Sequence, residues 1–399
     1  MYRKILLWIV ALIFSVSWGI AQQVRTGSEQ KAADGKQSQI LTLVTSFGDE
    51  NLPSEYLLAY PMQLQVNEKN DIYIFDEQKL KVYDSSGKPK CIIGGPGEGP
   101  GEFGNSFNVV TISPTGFITA GYTPSFHNLV YNIFNPDNFL VKKADLRFND
   151  VFNQFIKNSG FEINNISSDI AALNEENAVV LCVFKPSVLN TGIFVPGLIY
   201  LTKKEAHFIT QSDILWDNTC GWGDFYWSLI DDKTVMCSAA NFTGNKSAQP
   251  EYIITLVDFV EGKKSEIKRK YEPVSLPDSI KKKLDSQIDI RKKIQNETMK
   301  GITQAMEKTK NFGQYAPVQK IRTDGTYIFV FTYKTNKSGE ILTDVFDART
   351  EKYITSVNFP FIPLVIKNGY AYSFNDFGYN KPLYPKVEKY LINRSVYGK

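Results

Sequence analysis

Histidine is almost missing from this sequence: 399 residues hold two, His127 and His207. A zinc centre built on converging imidazoles would lack ligands and have to lean on carboxylates. Cysteine is scarce too. Cys91, Cys182, Cys220 and Cys237 form no CxxC pair, which leaves zinc ribbons and thioredoxin-type redox sites without support. Cys182 in "VLCVF" and Cys237 in "VMCSA" lie inside apolar runs and read as buried thiols packed as small hydrophobes. A disulfide stays open, because export permits one. No Gly-x-Ser-x-Gly elbow supports a serine hydrolase. No ordered Asp-rich loop marks a calcium site, although calcium held by Asp, Asn and carbonyl oxygens stays open. No other cofactor is expected. Charge of one sign is also lacking: the formal balance is +3, falling to +1 without Arg3 and Lys4. That leaves no net pull towards nucleic acid or anionic membrane. The run Lys281-Lys282-Lys283 reads as a solvated helix face.

Long apolar runs are lacking as well, except at the start. "MYRKILLWIVALIFSVSWGIAQQ" has a basic n-region, an apolar core from Ile5 to Val16 and a small-x-small site at Gly19-Ile20-Ala21. Residues 1–21 therefore read as a cleaved signal peptide, or alternatively as an uncleaved anchor. In both cases the remainder is expected in the periplasm, at the cell surface or secreted, with no membrane span after signal removal. Residues 22–38 are polar and read as a flexible leader.

Aromatics are plentiful, with 21 Tyr and 27 Phe, and favour pleated, half-buried strands. A period-2 run, a tight polar turn and a second β-rich run recur six times. The copies are "MQLQVNEKNDIYIFD", "NVVTISPTGFITAGY", "IAALNEENAVVLCVF", "FYWSLIDDKTVMCSA", "VQKIRTDGTYIFVFTY" and "IPLVIKNGYAYSFND". Two more strand-like runs follow each of the first five copies, which is the pattern of β-propeller blades. The sixth unit supplies only "KVEKYLI" before Lys399, while "QILTLVTSF", Gln39 to Phe47, stands unpaired ahead of the first. A ring must hide its last open edge, so the leftover strand is expected to complete the last blade. The expected fold class is all-β: a six-bladed β-propeller of four-stranded antiparallel blades over residues 39–395.

"GGPGEGPGEF", Gly94 to Phe103, invites a phosphate-loop reading. A dinucleotide fingerprint must open a helix, yet a β-run and hairpin turn follow, and no Gly-Lys-Ser/Thr is present. The stretch reads as a blade-to-blade corner with Phe103 packed between blades. Together with "DIYIFDEQKLKVYDSSG", it resembles the NHL-type repeats of exported bacterial six-bladed propellers, whose blades join through a Gly-x-Gly-Pro-Gly-Glu-Phe corner. The close match covers Leu57 to Phe103 and is architectural elsewhere. The resemblance implies six blades and a binding role, and it carries over no catalytic residue.

One face of such a ring carries short turns, and the other carries long connections, where function usually sits. Candidate contacts there are Phe126, His127, Trp222, Asp224, Phe377 and Tyr379. The expected function is non-catalytic binding, by a monomer, of a protein, peptide or glycan of the envelope or exterior. The alternative is a metal-dependent hydrolase or lyase with a site in the central channel. Between the fourth and fifth copies, residues 277–312 read as a helical insertion with Ile280, Leu284 and Ile288 on one stripe. Asp278 is the expected N-cap, Gly313 the stop, and Gly301 the point where the insertion divides.

Overall fold

The structure is a computed structural model. It describes residues 40–48, 51–104, 108–125, 128–186, 195–212, 220–221, 224–239, 250–294, 297–375 and 384–399. The signal peptide and leader readings lie outside these residues.

Strand β1 (Leu41–Phe47) comes first and stands apart from the strands that follow it in sequence. Blade 1 is β2 (Gln63–Val66), β3 (Ile72–Asp76), β4 (Lys79–Tyr83) and β5 (Pro89–Ile93). Blade 2 is β6 (Asn108–Ile112), β7 (Ile118–Ser125), β8 (Asn128–Phe134) and β9 (Leu140–Asp145). A helix, α1 (Asp150–Ser159), leads to blade 3: β10 (Phe161–Ala172), β11 (Ala178–Pro186), β12 (Val195–Leu201) and β13 (Ala206–Gln211). Blade 4 is β14 (Phe225–Leu229), β15 (Thr234–Ala239), β16 (Glu251–Asp258) and β17 (Lys263–Lys270). Helices α2 (Asp278–Lys292) and α3 (Glu297–Phe312) precede blade 5: β18 (Lys320–Asp324), β19 (Tyr327–Thr335), β20 (Ile341–Asp347) and β21 (Lys352–Phe359). Blade 6 is β22 (Val365–Lys367), β23 (Tyr370–Phe374) and β24 (Val387–Ile392), completed by β1.

All six sheets are four-stranded, and every strand pair is antiparallel. The expected closure is present. β1 pairs with β24 from Leu41 opposite Ile392 to Phe47 opposite Val387, with a bulge between Leu43 and Thr45. A bulge on an outermost strand twists the edge away from foreign partners. The short turns follow the expected chemistry. Gly116, Gly325 and Gly369 have positive φ, and so has Asn70.

The core is a set of apolar wedges between neighbouring blades. Phe103, Tyr73, Phe75, Ile118 and Phe134 fill the first gap, with Phe103 edge-on to Phe75 at 5.9 Å and to Phe134 at 6.2 Å. The glycine-rich stretch is therefore a corner. Gly94 (φ 67) lies so close to the Phe103 ring that a Cβ would meet it at 2.4 Å. The seam between the last and first blades is filled by Phe47, Leu58, Tyr83, Tyr372 and Val387. Across it Lys367 pairs with Glu68, and the Asn368 amide donates to Asn70 at 3.0 Å.

Three local expectations need correction, and one connection holds an unforeseen helix. The helical insertion divides at Lys293 and Ile294 rather than at Gly301, which lies inside α3. A helical Gly costs about 1 kcal/mol, an amount that packing of a neighbouring face outweighs. The N-cap is Pro277, without a side-chain cap, and Asp278 is the first helical residue. Gly313 (φ 72) does end the insertion. The connection after blade 2 holds α1, capped by the Asn149 carboxamide, which accepts from Phe152 N at 2.8 Å, and closed by Gly160 (φ 72). The connection around Phe126 and His127 is shorter than expected, because β7 and β8 pair as far as Ser125 opposite Asn128.

Candidate functional site at the channel mouth

The first strand of each blade lies at the axis: β2, β6 and β10 touch in turn, as do β14, β18, β22 and β2. Each starts at the face of the long connections and ends at a short turn. Much of their polar surface is used to staple one blade to the next. Gln63 accepts from Val110 N at 2.7 Å, and the Gln65 amide donates to Val110 O at 3.1 Å. Thr111 donates to Ile170 O, and Ser228 meets Thr323 at 2.8 Å. These side chains replace backbone partners that an inner strand edge would otherwise lack.

One polar group of side chains goes beyond stapling. Asp169 comes from β10, Asp224 immediately precedes β14, Tyr226 and Trp227 belong to β14, and Lys320 and Arg322 to β18. All six are half-buried. Asp169 belongs to blade 3 and Lys320 to blade 5, so their electrostatic coupling spans blade 4. Asp224 and Lys320 mark the mouth on the long-connection side, while Trp227 and Arg322 lie deeper along the same strands.

Burial dominates the electrostatics. It pushes the Asp169 carboxyl up, against the Trp227 indole N–H that donates to it and the Lys320 ammonium. Burial, together with the Arg322 guanidinium, pushes the Lys320 amine down to about 8, although Asp224 and Asp169 pull the other way. Burial also lowers Arg322 to about 10, so it stays charged at neutral pH. The Tyr226 hydroxyl donates to Asp224 Oδ2 and to Gln319 O, both at 2.9 Å. Its burial and the adjacent carboxylate hold it protonated.

The two cations are satisfied unequally. Arg322 Nε donates to Pro363 O at 2.8 Å and Nη1 to Ile321 O at 3.2 Å. Among the described residues Nη2 meets no acceptor, and Lys320 Nζ has neither hydrogen bond nor ion pair. Its contact is the Tyr226 ring, with the centroid 5.7 Å away.

Of the six residues singled out in the sequence, Asp224 is described and stands at this mouth. Phe126, His127, Trp222, Phe377 and Tyr379 lie outside the described residues. Sequence reasoning missed Asp169, Tyr226, Trp227, Lys320 and Arg322. A signal for the cations existed: in "KIRTD", Lys320, Arg322 and Asp324 share one face of an inner strand while Ile321 faces the blade 4 wedge. His207 is on the outer strand β13, as its segment suggested, with Nε2 3.4 Å from Phe259 O. None of the four cysteines forms a disulfide, and burial pushes the Cys237 thiol up to about 12. Among the described residues no three His, Cys, Asp or Glu side chains gather as a metal site requires.

A groove of about 440 Å³ lies at the rim between blades 2 and 3, lined by Phe148, Asn149, Lys142, Glu175, Glu176 and Lys203 among others. Both of its lysines are engaged: Lys203 pairs with Glu176 at 2.9 Å and Lys142 donates to the Glu175 backbone carbonyl at 3.2 Å. The channel mouth, where among the described residues neither Lys320 nor Arg322 meets a carboxylate, is the stronger candidate.

No family model matches the chain, and no curated protein matches it either. Solved structures do. A candidate exported protein of Bacteroides fragilis is 13% identical over 90% of this chain and 98% of its own, with a TM-score of 0.47. An uncharacterized Listeria monocytogenes protein is 10% identical over 80% of this chain and 75% of its own, with a TM-score of 0.36. The β-propeller domain of the Trilobed protease from Pyrococcus furiosus is 9% identical over 85% of this chain and 78% of its own, with a TM-score of 0.35. The site rests on the chain's own geometry.

Proposed function

We propose that the protein is an exported, non-catalytic binding protein built on an NHL-type propeller. In this reading it acts as a monomer and presents its long-connection face to a protein, peptide or glycan of the envelope or exterior. One observation carries the reading. Asp224 and Lys320 open onto that face from inner strands that neighbouring blades lock in place, so charge is displayed on a rigid frame. Rigid display reduces the ordering cost of association. The N-terminal segment supports export by its order of basic, apolar and small residues. The corner at Gly97 to Phe103 supports the NHL-type assignment. No helix among the described residues is long and apolar enough to cross a membrane.

The test compares the immobilised mature protein with its Trp222→Ala/Tyr379→Ala variant in envelope extract. If these two aromatics of the long connections are contacts, as the sequence suggests, truncating them lowers retention of the partner by about tenfold or more while melting stays unchanged. Equal retention by both proteins contradicts the reading.

A further inference from the structure

We infer that the channel mouth recognises a carboxylate group of its ligand, received between Lys320 and Arg322. The inference rests on the binding role proposed above and names the chemistry of that same site. Lys320 and Arg322 are two apart on β18, so their side chains leave the strand on one face, about 6.6 Å apart along it. Both are half-buried, yet among the described residues neither contacts an anion. Among the described residues Arg322 donates to two backbone carbonyls, Pro363 O and Ile321 O, and to no anion. Among the same residues the Lys320 ammonium has the Tyr226 ring beside it and longer-range coupling to Asp224 and Asp169. Elsewhere in this chain a buried lysine is fully paired. Lys81 reaches Asp76 Oδ2 at 2.7 Å, Glu77 Oε2 at 3.0 Å and Leu57 O at 2.5 Å. A desolvated cation without a counter-ion is costly, and an arriving anion removes that cost.

The choice of carboxylate follows from the neighbouring acids. Asp224, at the start of the adjoining inner strand, and Asp169, one blade further on, both couple to Lys320, and a phosphate dianion would be repelled by both. A single negative charge is tolerated. It also matches the fork of Arg322, whose Nη2 is unused. Tyr226 then flanks the group with aromatic surface, and the Asp169 and Asp224 oxygens can accept from hydroxyl or ammonium groups on the same ligand.

Reductive methylation of lysines with isotopic formaldehyde and a borane, followed by peptide mapping, tests this on the mature protein at pH 7. The probes are glutarate, its neutral diamide and inorganic phosphate. Glutarate is expected to slow labelling of Lys320 roughly fivefold at about four times its Kd, the factor 1 + [L]/Kd. The diamide gives no protection, and phosphate protects less than glutarate. Arg322→Gln abolishes the protection while an unchanged melting curve shows the ring intact. Equal protection by the diamide, stronger protection by phosphate, no protection by glutarate, or a Lys320 that never labels each overturns the inference. No partner is needed, so these outcomes stand apart from the retention test above.

Discussion

Two lysines show how one residue type takes opposite energetic signs in one molecule. Lys81 and Asp76 are fully buried together, and Asp76 also accepts from Ala59 N at 3.0 Å and Tyr60 N at 2.6 Å. The pair clasps the segment that follows β1 onto blade 1. Lys81→Met leaves a buried carboxylate unpaired and is expected to cost about 3–5 kcal/mol. Lys320→Met removes a desolvated charge without a partner and is expected to stabilise by roughly 1 kcal/mol. Urea melts of both variants check the signs; destabilisation by Lys320→Met would contradict the site's description. The Lys320 amine, pushed down to about 8 by burial and Arg322, titrates below its unfolded value of 10.5. Between these two pH values the unfolded chain binds more protons, so this lysine's contribution to stability rises with pH. Its grip on an anion, by contrast, fades as pH passes 8. Asp224 was legible because it sat in a long polar connection. Lys320 was not, since a charged residue in a strand ordinarily faces solvent, and only the ring turns this one inward.

The helical hairpin is the element that departs from the blade pattern. Leu284, Ile288 and Met306 bury themselves with Leu276, Cys220 and Ala316, so α2 and α3 cover the connection into blade 4. Its neck is closed by Leu276 N donating to Gly313 O at 2.8 Å and Tyr315 N donating to Val274 O at 2.9 Å. Tyr315 stacks on Tyr333 of β19, with centroids 4.3 Å apart. The hairpin therefore packs on the long-connection side of the ring. Replacing Ser279 to Phe312 by a short Gly/Ser linker uncovers Cys220 and Ala316, and is expected to lower the melting temperature while circular dichroism retains the β signal. An unchanged melting temperature would show the hairpin to be a free appendage. The stripe at every fourth residue made α2 readable. α1 escaped because ten residues give less than three turns of periodicity, although Asn149 and Gly160 already marked both ends.

At the scale of the whole molecule, closure by β1 decides whether there is a ring at all. Leu41 plugs the gap between blades 5 and 6, and Phe47 the gap between blades 6 and 1, where its ring lies over Gly87 (φ 89). Deleting residues 22–47 removes an entire strand and both plugs and should lower the melting temperature by several degrees, whereas deleting 22–36 should leave it unchanged. Blade count and closure were legible because strands repeat with period two and one was left over. The channel cluster was not, because Asp169, Tyr226 and Lys320 come from three blades that only the ring sets side by side. Alkaline pH offers a second global test. Burial pushes the Tyr73 and Tyr131 hydroxyls up to about 12, and raises Tyr83, Tyr372 and Tyr397 as well. Their stabilising contribution is complete below pH 10, the unfolded value, and is lost as pH climbs towards the folded ones. Each loses up to about 1.4 kcal/mol per pH unit above 10. The urea midpoint should therefore fall between pH 10 and 11; a flat midpoint would contradict the burial of these rings. The account's central claim is that binding belongs to the channel mouth. Partner affinity, measured for the mature protein, for Lys320→Met/Arg322→Gln and for Lys69→Ala on the short-turn face, tests it most directly. Lys69 is 67% exposed and 3.7 Å from Asp137, so its loss leaves the ring untouched. The account predicts that the channel variant loses affinity by about tenfold or more while Lys69→Ala binds as the parent does. Loss on the short-turn face with the channel variant unaffected would contradict it.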